Sequence, residues 1–143
     1  MGVKKGISYW DKKLIGNGGV LNEFVKYRDA VEFTKEGKPI AACITCGREV
    51  SGNSLHAGHF IGRRHKKVAY DERNLNAQCA GCNKWNNGEP LKYRRALLEM
   101  YGKSVVEELE QAQYETGKHW TPAQLEEKYK LYKEKVKEYK AAI

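Results

Sequence analysis

Apolar and polar positions along the chain change period several times, and each change marks an expected element. From Val20 the apolar residues fall at three- and four-residue steps, through Leu21, Phe24, Val25 and Val31 with Arg28 in phase. That spacing predicts a helix, stopped by Gly37 and Pro39. Ser51-Gly-Asn53 reads as a hairpin turn between extended runs at 48–50 and 54–60. Residues 61–73 have no clear period and carry Arg63, Arg64, His65, Lys66 and Lys67, the composition of an exposed basic loop. Leu75–Gln78 is a short extended piece. Pro90 opens a helix with apolar positions Leu91, Leu97, Leu98 and Tyr101, and Gly102 ends it. Ser104 and Glu107 form a capping-box pattern before a helix through Val105, Leu109 and Ala112. Thr121-Pro-Ala-Gln124 is a second such box. The helix it opens carries Leu125, Tyr129, Tyr132, Val136 and Tyr139, a narrow seam that fits packing on its own domain or, alternatively, a homodimer contact. Ahead of Val20, residues 1–19 are rich in Lys and Gly and read as a flexible basic arm, with Tyr9 and Trp10 as an anchor.

The expected fold is therefore α+β, in one domain over residues 20–143. Its core spans 43–101, and its C-terminal helices span 104–143. A chain of 143 residues suits one modest core. The net charge of +8, with pI ≈ 9.3, favours a polyanionic partner, because each phosphate contact releases counterions. No apolar run approaches a membrane span, and the first residues lack the pattern of a signal peptide. Gly2 begins only a poor match to a myristoylation signal. The cytoplasm is the expected location, and there paired cysteines bind metal more often than they form disulfides.

All four cysteines lie in two Cys-x-x-Cys pairs, Cys43/Cys46 and Cys79/Cys82, separated by thirty-two residues. Two such pairs complete a tetrahedral shell for one structural zinc. Within and just after the spacer lie His59, Asn74 and Asn83. Phosphodiester hydrolysis needs a base to take a proton from water and a cation to stabilise charge on the phosphate. His59, ending a strand, suits the base. Asn83 can offer its amide oxygen to Mg²⁺, and Asn74 can brace the intervening loop through backbone hydrogen bonds. Arg63, Arg64, Lys66, Lys67 and Lys84 flank these residues and are the expected DNA contacts. Trp85 reads first as a packing residue, the other role open to it being a stack on an unpaired base.

The order Cys-x-x-Cys … His … Asn … Cys-x-x-Cys-Asn resembles the HNH, or His-Me finger, nucleases with a ββα-metal core. The likeness extends to the NinG/Rap family of phage recombination proteins over roughly residues 20–140. It is carried by Phe24 to Asp29, Cys43-Ile-Thr-Cys46-Gly47, Ala57-Gly-His-Phe60, Asp71-Glu-Arg-Asn74, Gln78-Cys-Ala-Gly-Cys-Asn83, Gly88, Tyr93-Arg94 and Trp120-Thr121. This resemblance implies a structure-specific endonuclease acting on Holliday junctions and D-loops, with His59 as base, Asn74 as brace and Asn83 as metal ligand. Many finger nucleases carry an Asp ligand immediately before the base; here that residue is Gly58. His56 is the expected substitute, and an imidazole ligand would favour Mn²⁺ alongside Mg²⁺. Two alternatives stay open: a sequence-directed HNH nuclease, and a non-catalytic zinc module that binds DNA and recruits recombination proteins. Branch resolution needs two cuts, which makes a homodimer attractive.

Overall fold

The computed structural model describes residues 4–143. The chain is α+β. Helices α1 (Ile7–Ile15) and α2 (Val20–Arg28) are followed by strands β1 (Ala30–Phe33), β2 (Pro39–Ala42), β3 (Glu49–Ser51), β4 (Leu55–His59) and β5 (Leu75–Cys79). A wide π-helical turn at Gly81–Trp85 leads into α3 (Pro90–Tyr101), α4 (Lys103–Gln111) and the long α5 (Pro122–Ala141). One antiparallel sheet has the order β1-β2-β3. The other is the antiparallel pair β4-β5, registered from Leu55 opposite Cys79 to His59 opposite Leu75.

The expected pairing of 48–50 with 54–60 is not what forms. β3 pairs with β2, and a 3₁₀ turn at Gly52–Ser54 passes the chain to β4, which pairs with β5. The turn residues between β3 and β4 mark a change of sheet, and turn chemistry alone cannot tell that from a hairpin. The helix from Val20 also ends earlier than expected. It stops at Arg28, because residues 30–42 form the β1-β2 hairpin closed by Thr34 N–H to Lys38 O at 2.9 Å. Arg28 ties α2 to the second sheet, donating to Glu72 O at 2.9 Å and Leu75 O at 2.7 Å.

Residues 4–19 are not a flexible arm. Ile7, Trp10 and Leu14 make a short helical stripe, and α1 buries Leu14 and Ile15 in the main core with Leu21, Phe24, Val25 and Leu75. The first three residues of the expected arm, Gly2 included, lie outside the described residues. On the other side of that core α5 contributes Leu125, Tyr132 and Val136, with Tyr129 and Tyr139 packed beside them. The apolar seam of α5 is thus spent inside its own domain, which removes it as a dimer contact. The Thr121 box forms as expected: Thr121 Oγ1 accepts from Gln124 N–H at 3.2 Å, and Gln124 Oε1 accepts from Thr121 N–H at 2.9 Å. The Ser104 box does not form. α4 starts at Lys103 behind Gly102, two residues earlier than a Ser104 cap requires, so Ser104 lies within the helix. A separate cluster, with Ile61, Val68, Tyr93, Leu97 and Leu109, seats α3 and α4 against the 61–73 loop. That loop is therefore only partly exposed, since Ile61, Val68, Ala69 and Tyr70 are buried.

Candidate active site

Knuckle one, between β2 and β3, turns at Gly47 (φ +79°), with Gly47 N–H bonded to Cys43 O at 2.8 Å. It is joined to β5 by Ile44 N–H to Ala77 O at 2.9 Å. This places Cys43, Cys46, Cys79 and Cys82 with all Sγ atoms within 4.8 Å of one another. Tetrahedral Zn–S bonds of about 2.3 Å put sulfurs roughly 3.8 Å apart, and Cys46 Sγ lies 3.8 Å from Cys79 Sγ. Burial opposes ionisation of Cys43, but hydrogen bonds from Thr45 and from backbone N–H groups bring its thiol down to about 6. The four thiols can hold one zinc, and four such ligands would fill a tetrahedral shell. Such a site pins the first knuckle to the end of β5 and the turn after it.

His59 ends β4. Its Nε2 donates to Ala69 O at 2.9 Å, which fixes the tautomer and leaves the lone pair on Nδ1. Burial lowers its pKa to about 4; the Ala69 carbonyl works in the opposite direction, while Arg63 and Lys66 add to the lowering. The ring is neutral at pH 7. The loop that supplies Ala69 is closed by Asn74, which is fully buried. Asn74 Oδ1 accepts from Ile61 N–H at 2.8 Å, and Nδ2 donates to Ile61 O at 2.9 Å and Val68 O at 3.1 Å.

His59, His56 and Asn83 line one cleft of ≈ 640 Å³. His56 Nδ1 lies 3.0 Å from Asn83 Nδ2, and its Nε2 lies 3.2 Å from Asn53 O. With Nε2–H on that carbonyl, Nδ1 is the acceptor for the amide. Strand and turn therefore bring the expected ligand pair together, held to each other by a hydrogen bond. For a cation the pair offers one imidazole nitrogen and, with the amide turned over, one amide oxygen. The carboxylate in the cleft lining, Glu23, is paired with Lys140 Nζ at 2.8 Å. Among the described residues the cysteine group is the only cluster of three or more His, Cys, Asp or Glu side chains placed to hold a metal. The Gly58 position is closed to an acidic side chain, since a Cβ there would lie 2.1 Å from Gln78 Oε1.

Of the expected DNA contacts, Arg63 lines the cleft. Arg64 is exposed and donates to His65 at 3.2 Å. Lys66 is paired with Asp11 at 2.8 Å, and Lys67 is paired with Glu115. Lys84 lies 5.7 Å over the ring of Trp85. Trp85 is not a packing residue; it is 76 % exposed. The opposite wall of the cleft comes from α2 and the loop before it, through Asn22, Glu23, Lys26 and Gly16–Gly19, none of which was an expected site residue. The signal was present in the helical phase: with Leu21, Phe24 and Val25 buried, positions 22, 23 and 26 form the flank beside β4. Burial lowers the Lys26 pKa, while Glu23 works the other way.

Fold and site define a small α+β protein with a long C-terminal helix and a four-cysteine group able to bind zinc beside a histidine-lined cleft. No helix among the described residues is long and apolar enough to cross a membrane. The family model described as "Bacteriophage Lambda NinG protein" matches residues 3–141, and the chain belongs to the NinG family. Similar proteins include Protein ninG of Salmonella phage P22, 32% identical over 104 residues, and that of Escherichia phage lambda, 30% identical over the same length. Each alignment covers 72% of this chain but 45% of the relative, so the chain spans less than half the length of those proteins. No solved structure matches it.

Proposed function

We propose that the chain is a structure-specific DNA endonuclease of the His-Me finger type, cutting branched recombination intermediates such as Holliday junctions and D-loops in a bacterial host's cytoplasm. The observation that carries the reading is His59: neutral, with Nε2–H held on Ala69 O and Nδ1 free, in the cleft that also holds the His56–Asn83 pair and Arg63. His59 Nδ1 takes a proton from water as the water oxygen bonds to phosphorus. The bridging P–O bond breaks, and the leaving oxygen gains a proton from solvent. An incoming phosphate raises the low pKa of the buried ring, so the base strengthens as substrate docks. His56 and Asn83 would hold a divalent ion, which would supply positive charge to the reacting phosphate. An imidazole ligand suits Mn²⁺ better than Mg²⁺. Arg63, Arg64 and Lys84 contribute phosphate contacts, and the +8 charge the general attraction to DNA.

The test is cleavage of a labelled four-way junction beside linear duplex of the same sequence, with Mg²⁺, with Mn²⁺ and with neither. Metal-dependent cutting of the junction, abolished by His59→Ala with binding retained, is expected. Equal cutting of both substrates would replace the reading with a sequence-directed or general nuclease. A second reading, a zinc DNA-binding module that recruits recombination proteins without cutting, is favoured because His56 belongs to no group of three or more His, Cys, Asp or Glu ligands among the described residues, and the cleft's Glu23 is paired with Lys140. Binding without cutting in either metal would establish it.

A further inference from the structure

Trp85 combines four features that ordinary packing does not explain. It is 76 % exposed, although it lies only three residues after the buried Cys82 and two after the cleft residue Asn83. The segment that carries it is stiff: Asn86 N–H bonds Gly81 O at 3.0 Å, Gly88 N–H bonds Cys82 O at 2.8 Å, and the buried Gln78 donates to Gly88 O at 2.8 Å. Two non-glycine residues of the same segment, Asn87 (φ 53°) and Glu89 (φ 49°), hold left-handed backbone. Strain of that kind persists where surrounding structure over-determines it, and it gathers at functional sites. Finally, Asn83 and Asn87, on either side of Trp85, both line the cleft, and Lys84 sets its ammonium over the indole.

An isolated surface tryptophan would carry no weight. One on a hydrogen-bonded turn, flanked by two asparagines that line the cleft and beside its own cation, has the form of a stacking platform for nucleic acid. We propose that Trp85 stacks on an unpaired base at a DNA branch point, with Lys84 on the adjoining phosphate. This rests on the reading of the cleft as a site for branched DNA. It adds the element that tells a branch from a continuous duplex, because a fully paired duplex offers no free base face at that position.

The experiment uses the full zinc-loaded chain without added Mg²⁺ or Mn²⁺. The DNA is a four-way junction with 2-aminopurine at the branch point, beside the same label inside a fully paired duplex. Wild type is expected to quench the branch label. Trp85→Ala should lose that quenching and about 5- to 150-fold in junction affinity, the range for one base–aromatic stack, with duplex affinity unchanged. Trp85→Phe should retain most of both. Unchanged junction binding and quenching in Trp85→Ala overturns the proposal, as does an equal loss on duplex, or a changed molecular mass assigning Trp85 to a contact between copies. Adding Mn²⁺ separates the two readings. Quenching without cleavage keeps the platform and removes the nuclease; cleavage with KM unaltered in Trp85→Ala keeps the nuclease and removes the platform. A wild-type chain that binds neither DNA removes both.

Discussion

Gly58 directly precedes His59 on β4, and its neighbourhood accounts for the absence of any side chain there. A Cβ on Gly58 would meet Gln78 Oε1 at 2.1 Å and Gln78 Cβ and Cδ at 3.1 Å, well inside van der Waals contact. Gly58 has ordinary strand backbone, so Gly58→Ala is opposed by Gln78 alone and not by conformation. To make room, the Gln78 amide must leave a fully buried position between Gly88 O, at 2.8 Å, and Thr45 Oγ1, at 3.2 Å. Losing both bonds and orphaning a buried carbonyl costs about 2–4 kcal/mol. Gln78→Ala alone costs about 1–3 kcal/mol, offset in part because Oε1 is itself buried without a partner. In that background the far end of the glutamine is gone, and Gly58→Ala meets only the methyl. The double variant should then be more stable than the sum of the singles predicts, by about 2 kcal/mol. Urea unfolding of the zinc-loaded protein, with the m-value held constant across the four proteins, measures the cycle. Strict additivity, or a Gly58→Ala change within about 0.5 kcal/mol of zero, would refute the argument. The cycle has a functional extension. Residues 56 and 58 share a strand face, so Gly58→Asp in the Gln78→Ala background adds a carboxylate on the side of His56. Tighter Mn²⁺ binding by calorimetry is the expected result.

Leu14→Ala should cost about 2–5 kcal/mol, because Leu14 is fully buried in the core shared by α1, α2 and α5; an unchanged urea midpoint would return α1 to a dispensable arm. The pKa of His59 falls from its ordinary 6.5 to about 4 on folding, so its contribution to stability is full above pH 6.5 and is lost as the pH falls through 4. Between pH 7.5 and 5.5 wild type should therefore lose more stability than His59→Gln, and parallel pH profiles would show that the ring is not buried as a neutral base. Purified protein should carry one zinc per chain by elemental analysis. Cys82→Ser should lower that occupancy and the melting temperature together, while retained zinc in this variant would contradict a four-thiol site.

What the sequence revealed follows the range over which each feature is decided. The cysteine pairs were legible because a Cys-x-x-Cys turn is a local object and two of them satisfy one metal, and their sulfurs do converge. α3 and α5 were legible for the same reason: Pro90, Gly102 and the Thr121 box fix their ends within a turn. The strand pairing was not. β4 finds β5 across the whole 60–74 excursion, a non-local closure that the turn residues at 51–53 misrepresent. α1 was hidden by its lysines, since a stripe as short as Ile7, Trp10 and Leu14 is outweighed in composition until α5 is present to cover it. The site divides along the same line. That residue 58 lacks a side chain is visible in the sequence, but that Gln78 from the opposite strand fills the vacated space is a cross-strand fact. Lys26 became a cleft residue only once α2 was laid against β4. The candidate chemistry is thus built at seams between elements, where one-dimensional spacing supplies the residue types and the tertiary fold supplies their partners. Substitutions at those seams, such as Gly58 with Gln78, should couple strongly, whereas changes within a single knuckle or cap should act alone.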